Sequence, residues 1–221
     1  KKAKVEIGNF KLFELLIQKL SIPQRWKDRL IKFYWNKEYF SQLLKRLDSN
    51  SDIDPFIVAG DHKTYLKMKK EYPKKMIAGR TYEEIIERYE RKINDPRLTK
   101  TGKTSSKIIK EFLKIKCSLK DAPKKLNAFY KKYNLNISVA KEFFPISKPN
   151  QKDLEFKFST SSGRGREVEF YSSFIFSIDV KIKGKTKTFI AGGRYNDLSS
   201  KKLGLRKIPA VGAAVNLAVY E

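Results

Sequence analysis

The sequence has very little of the residue types on which most metal and redox sites depend. Its 221 residues include one cysteine, Cys117, and one histidine, His62. A single cysteine cannot form an internal disulfide, and a single histidine excludes paired-histidine metal sites. We therefore expect neither a disulfide framework nor a metal centre, and no cofactor.

Long apolar runs are also missing. No stretch approaches the roughly 18 consecutive apolar residues that a membrane-spanning helix needs. The basic start, Lys1-Lys2-Ala3-Lys4, leads into Val5-Glu6-Ile7-Gly8-Asn9 rather than into the apolar core of a signal peptide. The aromatic content of 13% is too high for a disordered chain. These features predict a soluble, folded, cytoplasmic protein.

Acidic residues are scarce: 24 Asp and Glu stand against 49 Lys and Arg, for a formal charge of +25. Such an excess is typical of proteins that bind polyanions, but it is also found on ordinary solvated surfaces. Lysine outnumbers arginine about threefold, although arginine is better suited to paired hydrogen bonds with phosphates and bases. Because the lysines are also dispersed, we interpret the charge as solvated surface and not as a nucleic-acid site.

Capping side chains and apolar periodicity predict that residues 1–150 are mainly helical. Asn9 and Asn36 can each cap a helix, and Thr81 with Glu84 forms a capping box. The predicted helices begin after Asn9, Pro23 and Asn36, near Asp61, at Thr81, near Ser106 and at Asp121. Polar residues 94–107 are predicted to be a linker. Its Gly102-Lys103-Thr104 is expected to be a plain loop, because a phosphate-binding loop requires a glycine where Arg97 stands.

Residues 151–221 have a different pattern. From Val168 to Ile182 the even positions are apolar except Ser172, which predicts a half-buried strand. Gly184 marks a turn, and Thr186–Ala191 is predicted to return as a second strand. Helices first and an antiparallel sheet later indicate an α+β fold rather than alternating βαβ units.

Two segments place an arginine and a tyrosine near the ends of these strands, at 163–171 and 191–198. An arginine can hold a carboxylate with two hydrogen bonds, and tyrosine hydroxyls can bind an imidazole or amide. The paired glycines Gly192 and Gly193 would let a ligand approach the backbone closely. The alternative is a surface arginine beside an interfacial tyrosine, and spacing does not decide between the two.

The same segments resemble the two histidine-recognition motifs of histidyl-tRNA synthetases, Arg-Gly-Leu-Asp-Tyr-Tyr and Gly-Gly-Arg-Tyr-Asp. Residues 166–171 are similar to the first motif, with Glu169 for the aspartate and Phe170 for the first tyrosine. Residues 192–195 match the second, and Asn196 replaces its aspartate. Pro209 to Val215 resembles the opening of the third class II motif. The resemblance implies a class II synthetase-like antiparallel sheet.

The departures indicate which branch of the family the chain resembles. A synthetase ends its third motif with an arginine that binds ATP, but Val219 occupies that position here. Residues 8–13, 22–26 and 77–81 also resemble the regulatory subunits of ATP phosphoribosyltransferase of the alphaproteobacterial type. By this pattern, two further motifs are expected before residue 1, and the last helix is expected to continue past Glu221.

The resemblance implies a non-catalytic subunit that binds L-histidine and controls a separate catalytic subunit in the first step of histidine biosynthesis. It also implies a homodimer of regulatory subunits. The histidine-binding residues carried over from the motifs are Arg166, Tyr171, Gly192, Gly193, Arg194 and Tyr195. Arg166 is expected to meet the carboxylate, and the two tyrosines are expected to frame the imidazole.

Two other functions remain open at this stage. The chain could be a fragment of a true histidyl-tRNA synthetase, for which Val219 is the discriminating position. It could also be a basic nucleic-acid-binding module, whose binding would fall steeply with salt.

Overall fold

The computed structural model of the protein describes residues 3–49, 55–70, 79–93, 99–139, 143–144, 154–165, 171–182, 184–196, 198, 204 and 206–217. Seven helices and six strands lie in these ranges. The helices are α1 (Phe10–Lys19), α2 (Gln24–Lys32), α3 (Lys37–Asp48), α4 (Pro55–Lys70), α5 (Tyr82–Ile93), α6 (Thr99–Phe112) and α7 (Ala122–Lys132). The strands are β1 (Ala3–Asn9), β2 (Lys116–Ser118), β3 (Leu154–Ser159), β4 (Phe174–Ile182), β5 (Lys185–Arg194) and β6 (Val211–Val215).

The capping side chains predicted from the sequence start their helices as expected. The Asn9 side chain accepts a hydrogen bond from the Lys11 amide at 3.0 Å, and Asn36 accepts one from Tyr39 at 2.9 Å. In the capping box, the Thr81 amide donates to Glu84 at 3.0 Å and the Glu84 amide donates to the Thr81 hydroxyl at 3.3 Å. Local side-chain chemistry therefore determines these three helix starts.

The linker predicted over residues 94–107 is wrong from Thr99 onward. Residues 99–112 form α6, so Gly102-Lys103-Thr104 lies within a helix and not in a loop. The small side chains of Ser105 and Ser106 are buried, and Ser106 donates to the Leu44 carbonyl on α3 at 3.4 Å. In the first half of α6, small side chains that pack closely against α3 therefore take the place of the apolar stripe on which the prediction depended. The helix ends at Phe112, and Lys116 begins β2.

The six strands form one sheet in the order β2-β3-β1-β4-β5-β6. Neighbouring strands are antiparallel except β1 and β3, which are parallel. The α+β class is therefore confirmed, and the all-antiparallel expectation is corrected at one pair. One of the two central strands, β1, comes from the part of the chain that the sequence predicted to be mainly helical.

The strand predicted over Val168–Ile182 begins only at Phe174 in the described residues, and positions 166–170 lie outside them. The predicted burial pattern also needs correction in its first half. Ile175 and Ser177 are 2% and 3% exposed, whereas the even-numbered Phe174 and Phe176 are only half-buried. Other parts of the chain pack on the sheet face that carries Ile175, and the candidate site lies where they do so.

Candidate functional site

The site is built around a turn at residues 160–165 that is fixed to the connection between α2 and α3. The buried Tyr34 hydroxyl donates to the Thr160 carbonyl at 2.6 Å. Arg164 Nε donates to the Tyr34 carbonyl at 3.0 Å, and the Gly165 amide donates to the Trp35 carbonyl at 2.9 Å. Three hydrogen bonds over six residues therefore hold the segment that leads directly into Arg166.

Arg164 reinforces this attachment. Its guanidinium lies 4.6 Å from the ring centre of Phe40 and 5.2 Å from that of Tyr34, so it makes cation–π contacts with both rings. Burial lowers its pKa, while the nearby Tyr34 acts in the opposite direction. Gly163 and Gly165 on either side have φ of 77° and 85°, a backbone conformation that glycine adopts without strain.

Beneath this turn, three glycines and one isoleucine form a line across the sheet. Gly8 on β1 stands opposite Ile175 on β4, Ile175 opposite Gly193 on β5, and Gly193 opposite Gly212 on β6. We call these four positions the glycine row. With strands about 4.8 Å apart, the row extends about 14 Å across one face of the sheet.

Each glycine of the row is covered by a side chain from a loop. A Cβ atom on Gly8 would lie 2.6 Å from Ser162 Cβ, and one on Gly193 would lie 2.7 Å from the Tyr171 ring. A Cβ on Gly212 would lie 2.6 Å from the Tyr195 hydroxyl oxygen. These distances are too short for real contacts, so the missing side chains are what allow the loops to lie directly on the sheet.

Tyr171 and Tyr195 are brought together at one end of the row. Their ring centres are 6.1 Å apart with the ring planes at 50°, a normal separation for an aromatic pair. Tyr171 is 9% exposed and Tyr195 is half-buried. The two recognition-like segments, which are more than 20 residues apart in the chain, therefore meet on the same face of the sheet.

Hydrogen bonds tie the two segments to each other. The Ser172 amide donates to the Arg194 carbonyl at 2.9 Å, and the Asn196 amide donates to the Ser172 hydroxyl at 3.0 Å. The Tyr195 amide donates to the Ala210 carbonyl at 2.8 Å, which also connects the second segment to the residue that precedes β6. The side-chain amide of Asn196 has a defined role, because its oxygen accepts from Arg194 Nε at 2.9 Å.

The other predicted site residues have different surroundings. Gly192 belongs to the opposite face, where a Cβ would lie 2.7 Å from the Phe176 ring. The space beside both paired glycines is thus occupied by neighbouring groups of the chain itself. Arg194 is exposed. Arg166 lies outside the described residues, immediately after Gly165.

Sequence reasoning missed three contributors to this site: Gly8, Gly212 and the Tyr34-Trp35 pair. A Cβ on Gly163 would lie 3.3 Å from the Trp35 ring, so Trp35 packs on the turn. Nothing in the local pattern marks these residues, because their role depends on strand register and on contacts more than 100 residues apart. Gly8 and Gly212 lie in segments that resemble the family, but the resemblance assigns them no role in the site.

Three further observations concern metal-binding groups, membrane spans and the single histidine in the described ranges. No group of three or more metal-binding side chains occurs among the residues that the structure describes. No described helix is both long and apolar enough to cross a membrane. His62 is exposed on α4, 6.2 Å from the ring centre of Tyr65, as expected for a surface histidine.

Comparison with known proteins decides which family the chain resembles. No family model matches it. Curated ATP phosphoribosyltransferase regulatory subunits from Allorhizobium ampelinum and Rhizobium johnstonii are each 26% identical to it over 222 residues, which is 94% of this chain. The resemblance to this regulatory subunit is confirmed. A third such subunit, from Rhizobium rhizogenes, is 26% identical over 96% of the chain.

The chain spans 59–60% of the length of these relatives. Similar solved structures include a histidyl-tRNA synthetase from a Nostoc species, 18% identical with a TM-score of 0.48, covering 98% of this chain and 40% of that one. Another is an ATP phosphoribosyl transferase complex from Thermotoga maritima, 16% identical with a TM-score of 0.31, covering 97% and 53%. Both scores are below 0.5, so these likenesses carry no weight for function.

Proposed function

We propose that the chain is part of a non-catalytic regulatory subunit of ATP phosphoribosyltransferase. In this role the full-length protein binds L-histidine and controls a separate catalytic subunit in the first step of histidine biosynthesis. It works in the cytoplasm as a homodimer within a larger assembly with that catalytic subunit. Curated relatives of this name, similar over nearly the whole chain, support the proposal.

The observation that carries histidine binding is the meeting of Tyr171 and Tyr195 on the glycine row. Each tyrosine belongs to one of the two recognition-like segments, and their rings lie 6.1 Å apart. A tyrosine hydroxyl can donate to or accept from an imidazole nitrogen, and a ring face can pack on the imidazole plane. The pair therefore offers both the shape and the hydrogen-bonding groups that an imidazole requires.

Arg166 is proposed to bind the histidine carboxylate. It follows directly on the turn whose residues Thr160, Arg164 and Gly165 are attached by three hydrogen bonds to Tyr34 and Trp35, so the segment that ends at Gly165 is held in place. An arginine–carboxylate contact is charge-assisted and can be bidentate, which gives it both strength and orientation. The exposed Arg194 is proposed to contribute positive charge at the rim of the same pocket.

The absence of catalysis is proposed from one position in the sequence. Val219 stands where the class II third motif carries the arginine that binds ATP. A valine side chain supplies no positive charge or hydrogen-bond donor to a triphosphate. The protein is therefore proposed to bind histidine without activating it.

Two measurements on the full-length protein test this function together. Calorimetric titration is expected to show saturable binding of L-histidine and no binding of L-phenylalanine, which lacks the imidazole nitrogens. Histidine-dependent exchange of pyrophosphate into ATP is expected to stay at the level of a no-protein blank. Exchange above that blank would identify a synthetase instead, and failure to bind histidine would remove the regulatory proposal.

A further inference from the structure

Helix α6 carries an unusual arrangement of charge. Together with the turn that follows it, the helix presents five exposed lysines at alternating spacings of three and four residues. Residues at this spacing lie on one face of a helix. We call these residues the lysine ladder: Lys100, Lys103, Lys107, Lys110 and Lys114.

Among the residues that the structure describes, acidic side chains neutralise little of the ladder. Lys110 forms an ion pair with Asp48 on α3 at 2.6 Å. Glu111, the one acidic residue of α6, pairs with Lys132 on α7 at 2.7 Å and so is already occupied outside the ladder. The ladder borders a surface groove of about 510 Å³ lined by Asp48, Lys103, Lys107, Lys110, Glu111 and Lys114.

Helix α5 shows that the chain does not place lysine on every exposed helix face. Its twelve residues contain four glutamates and three basic residues. Two of these residues, Glu87 and Arg91, lie four apart along the helix and form an ion pair. The like charges of α6 repel one another at the same spacings, which disfavours the helix. The composition of the whole chain therefore does not explain the ladder.

We propose that the lysine ladder is a docking surface for an acidic segment of a partner protein. From Lys100 to Lys114 the ladder extends about 21 Å at 1.5 Å per residue. Successive lysines are about 4.5–6 Å apart along the axis, the spacing at which acidic residues three and four apart follow one another on a second helix. A compact anion such as a triphosphate would meet only part of this length.

The side chains of the ladder favour a protein partner over a nucleic acid. Helix α6 contains no arginine, the residue suited to paired hydrogen bonds with phosphates and bases. Proteins that bind single-stranded nucleic acids also stack the bases on exposed aromatic rings. The aromatic residue of α6, Phe112, is completely buried and cannot serve in this way. A surface of lysine ammonium groups, with neither arginine nor exposed aromatic rings beside them, is suited to the carboxylates of an acidic protein segment.

The test measures binding of a synthetic acidic peptide to the full-length protein by fluorescence anisotropy at about 50 mM salt. The peptide has 21 residues, with glutamates at alternating spacings of three and four on an alanine background. The ladder variant replaces four lysines, K100Q, K103Q, K107Q and K114Q. The matched control removes the same charge from four dispersed, exposed lysines, K4Q, K19Q, K63Q and K124Q.

The ladder variant is expected to bind the peptide at least about fourfold more weakly, the sum of four weak exposed ion pairs. The control variant is expected to stay within about twofold of the natural protein, and the ladder variant to melt no lower than the natural protein. Equal weakening in both variants would overturn the proposal, because net charge alone would then explain binding. So would tighter binding of a 20-base-pair RNA duplex that the ladder variant loses, because the surface would then serve a nucleic acid.

Discussion

The sheet uses side-chain volume differently in its two halves. In β1 and β3, large apolar side chains such as Ile7 and Phe158 are 1% and 0% exposed and fill the core. In β5 and β6, Gly193 and Gly212 carry no side chain, and the space is taken by Tyr171 and Tyr195 from neighbouring loops. The first half contributes to stability through its own residues, whereas the second is shaped to seat loops.

Substitutions in the first half should therefore change stability, whereas substitutions in the second half should change binding. A residue that fills the core affects the free energy of unfolding through the cavity its loss creates. A glycine under a recognition loop affects the position of that loop. Turn 160–165 connects the halves, since it covers Gly8 and Ile175 and is held by Tyr34.

The largest effect is expected from Phe158→Ala in the first half. Phe158 is completely buried on β3, with its ring centre 5.4 Å from that of Phe144. Truncation should lower the free energy of unfolding by about 3–5 kcal/mol, measured by urea denaturation. Histidine affinity of the folded protein should not change. Leu66→Ala, at a residue 45% exposed, is the control and should cost at most about 0.5 kcal/mol. A large loss of affinity in folded Phe158→Ala would contradict the separation of the two halves.

A smaller effect is expected from Tyr34→Phe at the junction. The change removes the hydroxyl that donates to the Thr160 carbonyl at 2.6 Å and leaves a buried carbonyl without that donor. The free energy of unfolding should fall by about 1–3 kcal/mol. A loss below about 0.5 kcal/mol would show that this hydrogen bond does not anchor the turn.

The same hydroxyl makes a prediction about pH. Burial raises the pKa of Tyr34, and the nearby Arg164 acts in the opposite direction. Because the folded state holds the neutral phenol, its contribution to stability is complete below the usual tyrosine pKa of about 10 and is lost as pH rises above it. Denaturation between pH 8 and 11 should therefore show a steeper alkaline loss in the natural protein than in Tyr34→Phe. Burial also raises the pKa of Tyr130, but this residue is present in both proteins and contributes equally to both curves. Parallel curves would therefore contradict the assignment to Tyr34.

The smallest effect is expected from Gly212→Ala in the second half. The new methyl group would meet the Tyr195 hydroxyl oxygen and the adjoining ring carbons, so the half-buried ring should turn away from β6 while the fold is kept. Loss of one hydroxyl contact should weaken histidine binding by about 2- to 13-fold, equivalent to about 0.5–1.5 kcal/mol. Gly60→Ala is the matched control, because nothing lies within 4 Å of a Cβ there. Unchanged affinity in Gly212→Ala would show that the Tyr195 hydroxyl does not contact the ligand.

The sequence predicted those parts of the fold that depend on local chemistry. Asn9, Asn36 and Thr81 begin helices through hydrogen bonds within three residues, so their pattern is visible in a short window. The first half of helix α6 was not predicted, because its buried face uses Ser105 and Ser106 where an apolar stripe was expected. That substitution works only because α3 packs against it, which no local pattern reveals.

The candidate site was predictable in its motifs but not in its construction. The resemblance identified Tyr171 and Tyr195, and the structure brings their rings together. The glycine row could not be predicted, because it arises from the register of four strands between residue 8 and residue 212. The histidine-binding role of these residues stays a prediction, as does that of Arg166.

Calorimetric titration of L-histidine into the full-length natural protein and its Arg166→Ala variant tests the central claim most directly. An arginine–carboxylate hydrogen bond contributes about 1.5–3 kcal/mol, so Arg166→Ala should weaken binding by about 10- to 150-fold. Tyr195→Phe, measured alongside, removes one hydroxyl and should cost about 0.5–1.5 kcal/mol. Unchanged affinity in Arg166→Ala, with an intact fold by circular dichroism, would contradict the account and place histidine elsewhere.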